Sequence, residues 1–270
     1  MLNLTPRSLA SRVAFGASFL LAGVLAYGQA AAYRAPRFVG TQQPNLNGIW
    51  QANNTANWDI QDHSASQGPM WELGAIGAMP AGRGVVEGND IPYTPAGLAK
   101  KRENFAKRRT EDPEAKCYMP GIPRANYMQY PFQIVQSNRG ILFVYEYSSA
   151  NRWVNMGKAV EAGSDTWMGT NNGRWQGDTL VIDVTGLNGL AWFDRSGNHA
   201  TDRLHVVESF TPRSAETLNY EATIEDPATF TRSWKISMPL YRRVEPGAQL
   251  LEFKCVEFAE ELLYGQYKKK

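Results

Sequence analysis

From Phe132 onward the chain alternates apolar and polar residues with a period of two, the spacing that puts successive side chains on opposite faces of extended strands. Runs with this pattern span Phe132–Gln136, Gly140–Ser148, Thr179–Thr185, Leu204–Phe210, Thr217–Ile224, Phe230–Ser237 and Gln249–Phe258. The stretches "SNRG", "NNGRWQGD" and "PRSAE" place turn residues between several of them. Short strands punctuated this way predict a mainly β fold, a single antiparallel β-barrel or sandwich over 131–265, followed by a solvated tail at 266–270. The preceding 33–130 is rich in Gly, Asn, Gln, Pro and Ala, and reads as an irregular N-terminal wrap belonging to the same domain. The spacing predicts one helix within it, over about 94–110. Thr94 supplies an N-cap, Pro95 the first helical position, and Leu98 and Phe105 sit a heptad apart. Basic residues gather in its last turn, where they suit the helix dipole.

The first 32 residues read as a targeting segment. Arg7 and Arg12 form a basic region, Val13 to Tyr27 an apolar run, and Ala30 to Ala32 a small-residue cleavage site before Tyr33. The run is shorter than the ~20 residues that span a bilayer, and no cysteine follows it to carry a lipid. The expectation is a periplasmic or secreted protein without a stable membrane anchor, with an uncleaved N-terminal anchor as the alternative. Of the two cysteines, Cys117 and Cys255, an oxidising compartment makes a disulfide the natural pairing. Two buried free thiols remain open beside it. Apolar residues make up 43% of the chain, enough for a substantial core, and the net charge of +2 lacks the concentrated basic face of a nucleic-acid binder. Oligomeric state is not legible.

Splitting the strands into faces singles out three charges. In "LHVVESF" Glu208 shares a face with Leu204, Val206 and Phe210; in "ILFVYEY" Glu146 lies with Leu142 and Val144; in "FTRSWKI" Arg232 lines up with Phe230, Trp234 and Ile236. A charge on an apolar face is costly unless paired. Such charges therefore predict either a buried Glu–Arg pair or exposed barrel rim, or else a concave pocket with a few converging polar groups.

Two of the three histidines stand in "WFDRSGNHATDRLH", a loop running into a strand. Imidazole titrates near neutrality and a carboxylate can fix its tautomer, so acids beside histidines suit general acid–base chemistry. The catalytic candidates are His199, His205, Asp194, Asp202 and Glu208. Arg232, Glu146, Arg195, Trp167 and Trp192 are candidates for lining a substrate pocket. Read as ordinary loop polars, the same residues would cap and pair locally. No cofactor is implied; the alternative is a metal held by His63, His199 and His205, although their spacing is not specific. No nucleophile elbow, phosphate loop or dinucleotide fingerprint occurs.

The runs "NTANWDIQDH", "DPEAKCYMPGIPRANYMQYPFQIVQ", "TWMGTNNGRWQGDTLVIDVTG", "WFDRSGNHATDRLHVVESFTP" and "TLNYEATIEDPATFTRSWKISMPLYRR" together resemble a large set of secreted bacterial proteins. The resemblance covers about Leu46 to Gly265 and implies export and one shared architecture, without bringing a reaction. Gly48-Ile49-Trp50 ahead of antiparallel strands also resembles, more distantly, a lipocalin-type barrel, in which such a segment plugs one end. Two functional classes follow. One is an exported, cofactor-independent lyase, isomerase or hydrolase using acid–base chemistry on a small, largely apolar or aromatic molecule. The other is a periplasmic carrier that binds such a molecule without chemistry.

Overall fold

The computed structural model describes residues 33–68 and 71–267. Residues 1–32, where a targeting segment is expected, and the end of the tail at 268–270 lie outside the described residues. The chain from Tyr33 onward forms one compact unit. Nine strands close into a barrel: β1 Gly48–Gln51, β2 Phe132–Gln136, β3 Gly140–Tyr145, β4 Asn151–Asn155, β5 Thr170–Gln176, β6 Thr179–Thr185, β7 His205–Pro212, β8 Thr217–Glu225 and β9 Trp234–Arg242. Neighbours pair in sequence order and β1 closes the ring against β9. Every pairing is antiparallel except β4 with β5, which is parallel and holds only two register pairs, Val154 with Asn171 and Asn155 with Asn172. The expected single β-barrel is what forms, and only this short seam departs from antiparallel pairing.

Alternation sorts each strand as its sequence demands. On β7 Val206, Glu208 and Phe210 face inward; on β8 Leu218, Tyr220, Ala222 and Ile224; on β9 Trp234, Ile236, Met238 and Leu240. Inside, these meet Phe132, Phe143 and Tyr145, whose rings stack and tilt against one another. The Gly-x-Trp segment is a strand of the barrel wall rather than a plug. Trp50 is buried, its indole N–H donates to the Leu46 carbonyl at 3.0 Å, and the Arg242 guanidinium lies over its ring at 4.3 Å.

Strands β4 and β5 were not anticipated, because "NRWVN" and "TNNGRWQ" carry the Asn and Gly of a turn; cross-strand pairing overrides weak propensity there. The reverse holds for 249–258. Its apolar alternation predicts a strand, yet the barrel is already closed and offers no edge to pair with. The segment instead runs irregularly to a short helix, α2 Ala259–Tyr264. Cys255 within it is joined to Cys117, with the two Cα atoms 5.7 Å apart.

The first helix, α1 Pro95–Glu111, is capped as its sequence requires, Thr94 Oγ1 accepting from the Gly97 N–H at 3.0 Å. Its buried face is not the Leu98–Phe105 stripe, which is exposed, but Gly97 and Asn104. Gly97 sits against the Thr229 carbonyl, and Asn104 donates to the Gly197 carbonyl at 3.3 Å. Gly197, at φ +82°, lies so close to the helix that a Cβ would come within 2.8 Å of the Phe105 nitrogen. Small residues on both sides let helix and loop approach. Among the described residues no helix is long and apolar enough to cross a membrane.

The bridge between Cys117 and Cys255 spans 138 residues of sequence. Cross-linking so long a loop restricts the unfolded chain, which is worth about 2–5 kcal/mol in comparable cases. Thiol titration of unfolded, unreduced protein should find no free thiol, and the Cys117→Ser, Cys255→Ser double variant should lose stability by that amount in urea titrations. Two reactive thiols in the parent would remove this staple.

Candidate functional site

Glu208 does not stand alone inside the barrel. Its partner is Arg152 of β4, with Nη1 2.6 Å from Oε2 and both side chains fully buried. Asn126 donates to Glu208 Oε1 at 2.6 Å and Tyr220 Oη donates to the same oxygen at 2.8 Å. Tyr145 Oη donates to Asn126 Oδ1 at 2.9 Å, and burial raises the Tyr145 and Tyr220 hydroxyls well above their ordinary pKa, so both stay protonated donors. Arg152 also donates to Asn171 Oδ1 at 3.1 Å across the β4–β5 seam, and its guanidinium lies 4.6 Å above the Phe143 ring.

The seam is also where the barrel wall opens. With only Val154 and Asn155 paired to β5, the earlier residues of β4 leave a hollow of about 740 Å³ between the two strands and the connection that joins them. Trp153, Trp167 and Met168 give it apolar walls, and Arg152 and Asn171 are also among its lining residues. Asn171 is fixed by donating to the Met168 and Gly169 carbonyls at 3.1 and 3.0 Å. Gly169 turns the chain at φ +66°, in a space where a Cβ would lie 2.8 Å from the Thr185 carbonyl oxygen.

The loop that follows β6 is built differently from its expected role. Asp194 is fully buried and accepts from the Ser196 and Asn198 backbone N–H groups at 2.9 and 3.1 Å, from the Asn198 side chain at 2.5 Å, and from the Ile60 N–H at 2.9 Å. Burial raises its carboxyl to about 7, with nearby Asp59 adding to the rise, while these donors oppose it. None of those hydrogen bonds involves a histidine. Asp194 shapes the turn.

His205 lies on the outer face, its Nε2 3.2 Å from Asp183 and its Nδ1 3.9 Å from Glu225. His199 is buried instead, stacked at 6.1 Å on Tyr93. Burial lowers its pKa, and its Nδ1 has no partner. It lines a separate hollow of about 340 Å³ with Trp192, Lys100 and Asp202. The four groups expected to converge, His199, His205, Asp194 and Glu208, therefore occupy four different settings. The alternative metal set is not assembled either: among the described residues no three His, Cys, Asp or Glu side chains gather as ligands, and His63 stands apart beside Gly82.

Arg232 and Glu146 also leave the pocket. Strand β9 begins two residues after Arg232, so this side chain escapes the inward face, stays 61% exposed and pairs with Asp90 at 3.0 Å. Strand β3 ends at Tyr145 with Ile141, Phe143 and Tyr145 inward, so Glu146 sits beyond it on the opposite parity and accepts from the Leu251 N–H at 2.8 Å.

Arg195 belongs to a second buried network. It grips Glu114 through Nε and Nη2, both at 2.7 Å, while Arg124 reaches Glu114 at 2.7 Å and Asp112 at 3.1 Å. Arg124 Nε donates to Asn57 Oδ1 at 2.9 Å. This network floors a hollow of about 260 Å³ under the C-terminal segment, walled by Trp58, Tyr130, Tyr147 and Phe253. Asp112, Glu114, Arg124 and Arg195 pair within this network, and α2 adds ion pairs from Glu260 to Arg195 and from Glu261 to Arg109.

Arg152, Asn126 and Asn171 escaped the sequence reading because each sits in a segment with turn-like composition. One signal was present. The connector "PGIPRANYMQYP" carries Arg, Asn and two Tyr between its prolines, and its 3-10 turn, Arg124–Tyr127, is buried at every residue. Compared with known proteins, the chain matches no family model and no curated protein.

Burial works to raise the Glu114 carboxyl, but Arg195 and Arg124 outweigh it and hold it at about 2. An unfolded glutamate titrates near ~4.3, so this depressed group contributes stability that is fully present above that pH and drains away as pH falls towards 2. The urea midpoint of the parent should drop across that window. Glu114→Gln should be about 3–5 kcal/mol less stable at pH 7, having left two arginines short of a carboxylate, and should lose less on acidification. An equal acid loss in both proteins would show that Glu114 does not govern it.

Proposed function

We propose that the protein is an exported small-molecule binding protein, and that its ligand is a small, largely apolar or aromatic molecule held at the β4–β5 seam. One observation carries this reading: the hollow at the seam has apolar walls from Trp153, Trp167 and Met168, with Asn171 and Arg152 also among its lining residues. A concave apolar site with a few fixed polar groups is the usual build of a ligand pocket, and about 740 Å³ lies within the usual size range. The hollow under the C-terminal segment is a weaker candidate because its buried carboxylate, Glu114, is already held by Arg195 and Arg124. Export is supported by the N-terminal pattern and by the disulfide, which persists in an oxidising compartment.

N-Phenyl-1-naphthylamine, a neutral apolar fluorophore, should brighten on binding the parent protein. Trp153 is half exposed at the wall of the hollow, so Trp153→Ala should spare the fold. It should weaken binding about tenfold, as losing one aromatic wall of a small-ligand site typically does. Unchanged affinity in that variant would place the probe elsewhere.

A second reading, the acid–base enzyme, is favoured by His199. Burial lowers the pKa of its imidazole, which favours the neutral ring, and a neutral ring with an unpartnered nitrogen is the form that can accept a proton. In a turnover screen of small neutral aromatics, His199→Ala should cost any activity found about 10²–10⁴-fold, measured at a temperature where circular dichroism shows the variant folded. His205→Ala should cost nothing. Full activity in His199→Ala removes this reading.

A further inference from the structure

If the seam holds a ligand, as proposed above, the charge along its rim selects among ligands. Arg152 and Asp165 are the charged side chains among the residues lining the hollow. The charge of Arg152 is met by Glu208 at 2.6 Å with both side chains buried, so the pair is neutral as a unit. Asp165 is placed differently. It is exposed, and among the described residues it has no hydrogen-bond or ion-pair partner. The unmet charge of the hollow is therefore negative, and it lies where water and a ligand can reach it. The segment that carries it is held in place. Thr166 donates its backbone N–H to the Gly186 carbonyl at 2.8 Å and accepts at its own carbonyl from the Asn188 N–H at 3.0 Å. Trp167 follows, its ring tilted against Tyr118 at 5.4 Å. On β4, Trp153 lies against the bare backbone of Gly140, where a Cβ would collide with the indole, and the ring stays half exposed. Two indoles and one unpaired carboxylate thus line a single hollow. The face of an indole is negative and attracts an ammonium group more strongly than any other side-chain ring. A carboxylate at the same rim adds to that attraction and repels an anion. The apolar walls take up the uncharged body of the ligand.

We infer that the seam selects an aromatic cation, a protonated amine or quaternary ammonium on a flat apolar body, with the ammonium at Asp165 and the body against Trp153 and Trp167. Asp165 is the residue that sets the preferred charge.

The test is competition against bound N-phenyl-1-naphthylamine at neutral pH by compounds that share one ring system and differ in charge: 2-naphthylmethylamine as its ammonium, neutral 2-naphthylmethanol, and 2-naphthoate. Exposed ion pairs and exposed cation–π contacts are individually weak, so the ammonium should displace the probe from the parent at a concentration about five- to tenfold lower than the alcohol, with the carboxylate weakest. Asp165→Asn changes an exposed side chain without partners, and should bring the ammonium and the alcohol within about twofold of each other. Glu161→Gln removes a neighbouring exposed acid that does not line the hollow, and should keep the parent's preference. A preference kept in Asp165→Asn, or lost equally in both variants, would overturn the role of Asp165. A parent that takes the alcohol as well as the ammonium overturns the inference by itself, while the probe still marks a site. If the probe does not bind, the seam reading fails and this inference falls with it.

Discussion

The ion pair between Arg152 and Glu208 is the constraint to which the barrel interior answers. Taking both charges out of water costs several kcal/mol per ion, and the attraction between them repays this only when the remaining hydrogen-bonding capacity is also met. The surrounding structure supplies that. Asn126 and Tyr220 serve one oxygen of Glu208, Asn171 serves Arg152, and Tyr145 holds Asn126 in turn. These residues come from β3, β4, β5, β7, β8 and the 3-10 turn at Arg124–Tyr127. The pair therefore fixes strands that share no hydrogen-bonded edge. It matters most at the seam, where β4 and β5 share two register pairs and the contact from Arg152 to Asn171 adds a side-chain tie.

The 3-10 turn joins this interior to the exterior wrap. Asn126 faces Glu208, Tyr127 donates to the Phe193 carbonyl at 2.9 Å, and Arg124 reaches Asp112, Glu114 and Asn57. Through Glu114 the same network holds Arg195, and through Arg195 the C-terminal helix. A buried arginine left without its carboxylates would be strongly destabilising, so the wrap, the loop at 193–199 and the end of α1 fold as one polar unit. The disulfide closes that unit from the far side. The charged residues that suggest chemistry in the loop are spent on this architecture: Asp194 on its turn, Arg195 on Glu114.

Among the described residues, His199 and His63 each bury a ring nitrogen without a partner beside a hollow. The seam offers apolar walls around an arginine whose charge Glu208 already meets. Burial lowers the pKa of His199, which favours the neutral imidazole that accepts a proton. His199 lies beyond the seam in the chain and lines its own hollow, so binding and chemistry need not share one cavity.

Local pattern determined a good deal. Period-two alternation located β2, β6 and the body of β3, β7 and β8 and predicted a β-barrel or sandwich; Thr94-Pro95 located the start of α1; and the parity of "LHVVESF" put Glu208 indoors, because which face a strand residue takes depends only on its neighbours along the chain. What depended on distant partners was not legible. Strands β4 and β5 exist because they find each other, although their composition reads as turn, and 249–258 is not a strand because the barrel had no edge left for it. The inward face of α1 is Gly97 and Asn104 because a glycine loop needed close approach, a fact held in Gly197 rather than in the helix. The partner of Glu208 is Arg152, 56 residues away, and not the Arg232 that strand parity suggested. A buried charge announces that it needs a partner, but only the closed barrel decides which arginine stands opposite.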